Sequence, residues 1–354
     1  MVLNGLIASG PAATHGGTTP TDSAKAGLQR VANRPIFCHA LDRLHDAGVR
    51  EAALVVPVEI KEEIEACVAA EGPDLTARCF AYEHDEDCAA LAAAIDVLGE
   101  APCIVHPPDG LLVGPMTGFV EMLSVDAPDL VVLVRKGSPE TDSIGLATRR
   151  LLRLARNASP PGTVQSPSGV CLFGRGALVR ARELGWSSDS EPALVSVAER
   201  LIADGGSVRV EYVEGWLRTT GKSADLLEMN RVLLDELRPQ SEPIQGSENR
   251  IEGAVSVHPS ACVESSVIMG PAIIGPGALV IESYIGPYTS IGAQAHIEGA
   301  EVERSIILAG ASIMHVGGRL VASVVGRDAR VARDFSLPRA MRLTVGDGGE
   351  VVLC

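Results

Sequence analysis

The chain has 354 residues, of which 46% are hydrophobic and 3% aromatic, and its formal net charge is −15. This length suggests two domains with packed cores, and the acidity argues against a nucleic-acid or anionic-membrane surface because no basic block offsets it. The eight cysteines form no C-x-x-C pair, which is typical of free thiols in a reducing compartment. Neither a signal peptide nor a bilayer-spanning apolar run is recognisable, so we expect a soluble cytoplasmic protein.

Apolar runs alternate with helical patterns through the first two-thirds of the chain. The first strand is predicted within residues 5–10 and runs into a loop of small residues, 11–18, where α/β domains commonly hold phosphates. Further strands are predicted at residues 52–56, 79–82, 103–106 and 130–134. This rhythm predicts a mostly parallel sheet covered by helices.

One acidic residue, Asp109, follows the predicted strand at residues 103–106 after two prolines. Open α/β sheets gather their ligands beyond the carboxyl ends of the strands, which favours a ligand-binding role for Asp109. The alternative is a turn aspartate, because Asp109 precedes Gly110 and Asp-Gly is a common turn pair.

The last third of the chain follows a different pattern. Residues 239–250 are polar and contain proline and glycine, so we predict a linker there, between domains at residues 1–238 and 251–354. Beyond it, aliphatic residues recur every six positions, which predicts a parallel β-helix. We expect a structural and oligomerising module; the alternative is an acyltransferase-type base at His296 or His315. The repeated residues form two sets, Ile268, Ile274 and Val280, and then Ile285, Ile291 and Ile297, with one residue fewer between the sets.

Several stretches match the motifs of one known family in order. Residues 8–15 stand at its Leu-Ala-Gly-Gly-x-Gly-Thr-Arg loop, and residues 24–35 at its Pro-Lys and Pro-Val-Ala-Asn-Lys-Pro motifs. Residues 215–231 resemble its Trp-x-Asp-Thr-Gly motif and the Asp-Leu-Leu-Glu-Ala-Asn run that follows, and residues 270–302 resemble its C-terminal domain. In these motifs the chain is similar to the long-form glucose-1-phosphate thymidylyltransferases, which are sugar-1-phosphate nucleotidyltransferases.

The resemblance implies a fold, a reaction and a set of site residues. The fold would be a mostly parallel, Rossmann-like α/β nucleotidyltransferase domain followed by a hexapeptide-repeat left-handed β-helix. The family reaction converts dTTP and glucose-1-phosphate to dTDP-glucose and pyrophosphate with Mg²⁺, Lys25 steadying phosphates and Asp109 holding the metal. The implied nucleotide-binding positions are Ala8, Ser9, Gly10, Thr14, His15, Asp85 and Ala90. The implied sugar-phosphate-binding positions are Gly145, Arg156, Asn157, Glu191 and Arg218.

Charged groups of the family pattern are replaced at several of these positions. His15 stands for the phosphate-gripping arginine, Asp85 for the base-reading glutamine, and Thr219 for the second Mg²⁺ aspartate. Arg156 and Asn157 replace the family's Glu-Lys pair. Because losing one electrostatic group commonly raises the barrier by about 2.7–4 kcal/mol, we predict that ordinary dTDP-glucose synthesis is weak or lost.

Two functional hypotheses follow from this combination. The first is a pseudoenzyme that binds a nucleotide, a sugar phosphate or an active paralogue. The alternative is an active nucleotidyltransferase with a shifted base or sugar specificity, in specialised sugar-nucleotide biosynthesis. Mg²⁺ is expected only for the active form, and a homo-oligomer without nucleic-acid or membrane partners is expected for both.

Overall fold

The structure, a computed structural model, describes residues 2–8, 20–83, 88–136, 165–184, 193–213, 215–239, 246–333 and 335. The chain divides into two compact units, Met1–Leu233 and Leu234–Cys354. Within the described ranges no helix is long and apolar enough to cross a bilayer. Six cysteines within the described ranges are free thiols: Cys38, Cys67, Cys79, Cys103, Cys171 and Cys262.

The first unit combines a central sheet with helices. Its strands are β1 (Asn4–Ile7), β2 (Arg30–Val31), β3 (Arg34–Pro35), β4 (Glu51–Pro57), β5 (Thr76–Tyr82), β6 (Cys103–His106), β7 (Gly110–Val113), β8 (Leu130–Lys136), β9 (Gln165–Phe173), β10 (Val208–Tyr212) and β11 (Gly215–Arg218). Its helices are α1 (Pro20–Gly27), α2 (Ile36–Asp46), α3 (Lys61–Glu71), α4 (Cys88–Leu98), α5 (Thr117–Val125), α6 (Ala177–Glu183), α7 (Ala193–Ala203) and α8 (Ser223–Asp235).

Seven of the described strands form the central sheet in the order β10-β8-β9-β6-β1-β4-β5. Neighbouring strands are parallel, except that β9 is antiparallel to both β6 and β8. Alternate side chains enter the cores on the two faces: Val105 and Val132 on one, Ile104 and Val131 on the other. Strands buried on both faces are apolar throughout. The predicted strands at 52–56, 79–82, 103–106 and 130–134 all lie in this sheet, so the α/β class is confirmed.

The second unit consists of stacked coils. Its strands are β12 (Arg250–Glu252), β13 (Val255–Val257), β14 (Cys262–Glu264), β15 (Val267–Met269), β16 (Ala272–Ile274), β17 (Leu279–Ile281), β18 (Tyr284–Ile285), β19 (Thr289–Ile291), β20 (His296–Glu298), β21 (Glu301–Glu303), β22 (Ile306–Ile307), β23 (Ser312–Met314), β24 (Arg319–Val321), β25 (Val324–Val325) and β26 (Arg330–Ala332). They form three five-stranded parallel sheets in which every third strand stacks on the last. The six aliphatic residues of the repeat are all buried in its core. The parallel β-helix predicted from the hexapeptide pattern is thus confirmed, and the structure agrees with the left hand that the family resemblance implied.

A column of polar side chains joins successive coils at one corner of this helix. Asn249 Oδ1 accepts a hydrogen bond from Ser266 N at 3.1 Å, and Ser266 Oγ accepts one from Ser283 N at 3.1 Å. Ser283 Oγ in turn accepts from Ala300 N at 3.2 Å. Both serines are buried and donate their own protons to carbonyl oxygens two residues earlier. Each coil therefore satisfies a buried N–H of the next one.

Candidate functional site

The described part of the site lies where β6 ends and two short strands begin. After β6, the turn at Pro107–Asp109 leads into β7, which pairs with β11 in an antiparallel ladder that sets Gly110 opposite Arg218. Thr219 N donates to the Asp109 carbonyl at 3.1 Å. This register brings the Asp109 side chain beside that of Arg218, although 109 positions separate them in sequence.

Asp109 and Arg218 form a largely buried ion pair. Arg218 Nε donates to Asp109 Oδ2 at 2.8 Å, and the side chains keep 16% and 1% of their surfaces exposed, respectively. Burial raises the pKa of the Asp109 carboxyl, and the charge and hydrogen bond of Arg218 oppose that rise. Arg218 is therefore the principal group that stabilises the ionised form of the buried Asp109 carboxyl.

Within the described ranges, several buried polar atoms around this pair have no hydrogen-bond partner. They are Asp109 Oδ1, Arg218 Nη2, Ser23 Oγ and His106 Nε2. Ser23 lies on α1, which packs against the Asp109 turn so closely that a Cβ on Gly27 would lie 2.7 Å from the Pro108 oxygen. The Ser23 hydroxyl lies close enough to the Asp109 carboxylate to help lower its pKa.

His106, the last residue of β6, is held as a neutral ring. Its Nδ1 lies 2.7 Å from the Pro107 carbonyl oxygen and donates to it, and burial lowers its pKa to about 4. The ring packs edge-on against Trp216 with centroids 5.5 Å apart. With Nδ1 carrying the proton, Nε2 presents a buried lone pair that can accept a hydrogen bond.

Trp216 also covers the first residue of β7. An added Cβ on Gly110 would lie 2.0 Å from Trp216 Cη2, so the indole lies almost directly on the glycine backbone. The glycine is required here for close approach.

Replacing Gly110 with alanine should therefore lower the free energy of unfolding by about 1–3 kcal/mol, the usual effect of overpacking. Denaturant unfolding would measure the loss. Gly118→Ala is the matched control, because a Cβ there, in α5, meets nothing within 4 Å. Equal stability of the two variants would contradict the close contact.

Thr219 is also buried and fully engaged within the protein. Its hydroxyl donates to Gln29 Oε1 at 3.1 Å and accepts from Gly221 N at 3.2 Å. Mg²⁺ is held mainly by carboxylates and water. At this site one carboxylate, Asp109, is bound by a guanidinium, and the second position carries a neutral, engaged hydroxyl. The described residues therefore do not fit Mg²⁺, and they contain no group of three or more His, Cys, Asp or Glu suited to a metal.

The remaining predicted residues fall in different places. Lys25 is exposed on α1, and Ala8 is buried beyond β1, where its N donates to the His106 carbonyl at 3.2 Å. Ala90 is buried in α4 within the apolar core. The others lie outside the described residues: Ser9, Gly10, Thr14, His15, Asp85, Gly145, Arg156, Asn157 and Glu191.

Sequence reasoning did not find the pairing of Asp109 with Arg218, nor the contributions of Ser23 and His106. One signal was present: Arg218 directly precedes Thr219, so a cation adjoins the position where the family has an acid. A cation next to a missing anion is free to pair with the anion that remains.

Comparisons with known proteins agree with the motifs. No family model matches the chain. A glucose-1-phosphate thymidylyltransferase of Streptomyces griseus is 31% identical over 355 residues, covering 98% of each chain. One of Streptomyces antibioticus is 30% identical over 362 residues, covering 99% of each. A low-salt glycan biosynthesis nucleotidyltransferase of Haloferax volcanii is 26% identical over 343 residues, covering 94% of this chain and 95% of its own. Because it is 31% and 30% identical to the two Streptomyces proteins over nearly its whole length, the chain belongs to the glucose-1-phosphate thymidylyltransferase family.

Proposed function

We propose that this chain binds a nucleotide or sugar phosphate in the manner of its family but performs ordinary dTDP-glucose synthesis weakly or not at all. The observation that carries the proposal is the Asp109–Arg218 ion pair next to the neutral Thr219. We also propose that it is a cytoplasmic homo-oligomer whose domains join at residues 239–250.

The electrostatics of the site support the loss of turnover. In the family reaction an oxygen of the sugar phosphate attacks the α-phosphate of the triphosphate, and pyrophosphate leaves. Fixed charges aimed at the developing negative charge supply much of the rate, about a hundred- to a thousandfold for one group. Asp109 is neutralised by Arg218, and Thr219 brings no charge. Two such changes leave little of the family's rate, even when their effects overlap.

The unpartnered polar atoms support retained binding. A buried donor or acceptor without a partner commonly destabilises a protein by about 1–3 kcal/mol. Among the described residues, Arg218 Nη2 and His106 Nε2 are such atoms. A sugar phosphate carries both hydrogen-bond donors and acceptors, so its binding would give these atoms hydrogen-bond partners.

Pyrophosphate release from the purified chain tests the proposal. A panel of nucleoside triphosphates and sugar-1-phosphates with Mg²⁺ would be assayed beside the Streptomyces griseus relative. We expect release by this chain to be lower by about a thousandfold or more, while calorimetry detects saturable binding of dTDP-glucose or glucose-1-phosphate. Turnover comparable with the relative's and abolished by Asp109→Ala would overturn the proposal, as would the absence of binding by every compound tested.

A second candidate is an active enzyme of shifted specificity. It is favoured by Lys25, which is exposed on the same helix as Ser23 and is available to a phosphate. Robust turnover confined to a triphosphate other than dTTP, or to a sugar other than glucose, would favour this candidate over the first.

A further inference from the structure

The guanidinium of Arg218 is hydrogen-bonded to the carboxylate of Asp109, the residue that the family resemblance implies as the metal ligand. Its Nε donates to Asp109 Oδ2, while its Nη2 is buried and has no acceptor in the part of the chain that the structure describes. One side of the group thus neutralises Asp109, and the other carries an N–H for which the described residues provide no acceptor. The arginine side chain keeps 16% of its surface exposed and that of Asp109 keeps 1%, so a ligand would approach the pair from the side of the arginine.

A divalent ion would meet two obstacles at this position. An ion on Asp109 would lie within a few ångströms of a permanent positive charge, since a guanidinium does not lose its proton in proteins. The second ligand position offers only Thr219, whose hydroxyl already donates to Gln29 and accepts from Gly221. A hard cation finds neither the second carboxylate nor the negative potential that it needs.

We propose that Arg218 is an internal cation that replaces the divalent ion, so that this chain binds the phosphate group of its ligand without a metal. The inference rests on the proposed function in that it assumes a phosphate-containing ligand. Arg218 Nη2 donates to a phosphate oxygen, and the charge of the arginine offsets the charge of the phosphate. Asp109 positions the guanidinium and does not bind metal.

Binding of Mn²⁺ tests the metal half of the proposal without any ligand. The loss of the free-ion electron paramagnetic resonance signal on addition of protein reports bound Mn²⁺. We expect the wild-type chain and Asp109→Asn to give the same small loss. The double variant Arg218→Leu/Thr219→Asp removes the cation and supplies a second carboxylate, so we expect its Mn²⁺ affinity to rise at least about tenfold. Arg218→Leu/Thr219→Asn is the neutral control, and Thr219→Asp alone, which retains Arg218, should gain less.

Calorimetry with dTDP-glucose and glucose-1-phosphate tests the ligand half. Each is titrated into the wild-type chain in EDTA and in Mg²⁺, and we expect the two dissociation constants to agree within about twofold. Arg218→Lys keeps the charge but loses the planar fork, so we expect weaker binding that is still indifferent to metal. Arg231→Lys, in an exposed pair with Glu228, should bind as the wild type does.

The outcomes separate this inference from the proposed function. Binding that disappears in EDTA, or wild-type Mn²⁺ binding that Asp109→Asn abolishes, would overturn the role of Arg218 and leave the turnover result standing. Absence of binding by both compounds in both buffers would overturn the retained ligand site, and the Mn²⁺ experiment would still decide whether Arg218 occupies the metal position.

Discussion

Replacing Arg218 with alanine is expected to lower the free energy of unfolding of the first unit by about 3–5 kcal/mol. The variant leaves the Asp109 carboxylate buried, with Oδ2 deprived of its partner and Oδ1 already without one. Guanidinium chloride titration followed by tryptophan fluorescence would measure the loss. Both tryptophans of the chain, Trp186 and Trp216, belong to the first unit, so the signal reports that unit.

Two further variants distinguish the effect of leaving a charge buried without a partner from the effect of losing an ion pair. Arg231→Ala breaks an exposed pair of the same 2.8 Å length with Glu228 and should change stability by at most about 1 kcal/mol. The double variant Asp109→Leu/Arg218→Met removes both charges and should recover most of the loss, because no isolated charge remains buried. If Arg218→Ala were no more harmful than Arg231→Ala, the ion pair would not be a buried one in solution.

Acidification from pH 7 to pH 5 is expected to lower the free energy of unfolding of the first unit by about 2 kcal/mol for each of two buried histidines. Burial lowers the pKa of both His39 and His106 to about 4. When folding lowers the pKa of a basic group, the folded state keeps its full stability at pH values above the pKa that the group has in the unfolded chain. This stability is lost as the pH falls through the unfolded value toward the folded one, because the unfolded chain then binds more protons.

Single substitutions isolate the contribution of each ring. His106→Gln and His39→Gln should each remove about half of the difference between pH 7 and pH 5, measured by urea unfolding. Comparison with the wild type is needed because Asp109 acts in the opposite sense: its raised pKa favours the folded state as the pH falls. Identical pH profiles in the wild type and both variants would contradict the burial of these rings.

The sequence predicted the location of Asp109 but not its partner. The apolar run at residues 103–106 identifies β6, and the rule for parallel sheets places the following residue at a ligand-binding edge. The pairing with Arg218 depends on the register of β7 with β11 and on Trp216 covering Gly110. These are long-range contacts between short segments, and local patterns carry no information about them.

The direction of one strand of the central sheet was also not predictable from the sequence. Residues 169–173 are as apolar as the parallel strands, yet they belong to β9, which runs against both of its neighbours. By contrast, the six-residue rhythm predicted the β-helix well, because one aliphatic side chain points inward in each repeat. A local repeat determines that fold, whereas the site is assembled from residues distant in sequence.

The corner column of Asn249, Ser266 and Ser283 limits how the β-helix can change in length. Successive members of the column are 17 residues apart, and each accepts the N–H of the next. Farther along, stacked residues are 16 apart between Ser290 and Ile306 and 18 apart between Glu301 and Arg319, so a turn can lose or gain one residue while the strands stay in register. The length of the domain is therefore set by its number of coils, each of which adds about 4.8 Å along the axis, whereas a residue gained or lost in a turn leaves that length unchanged.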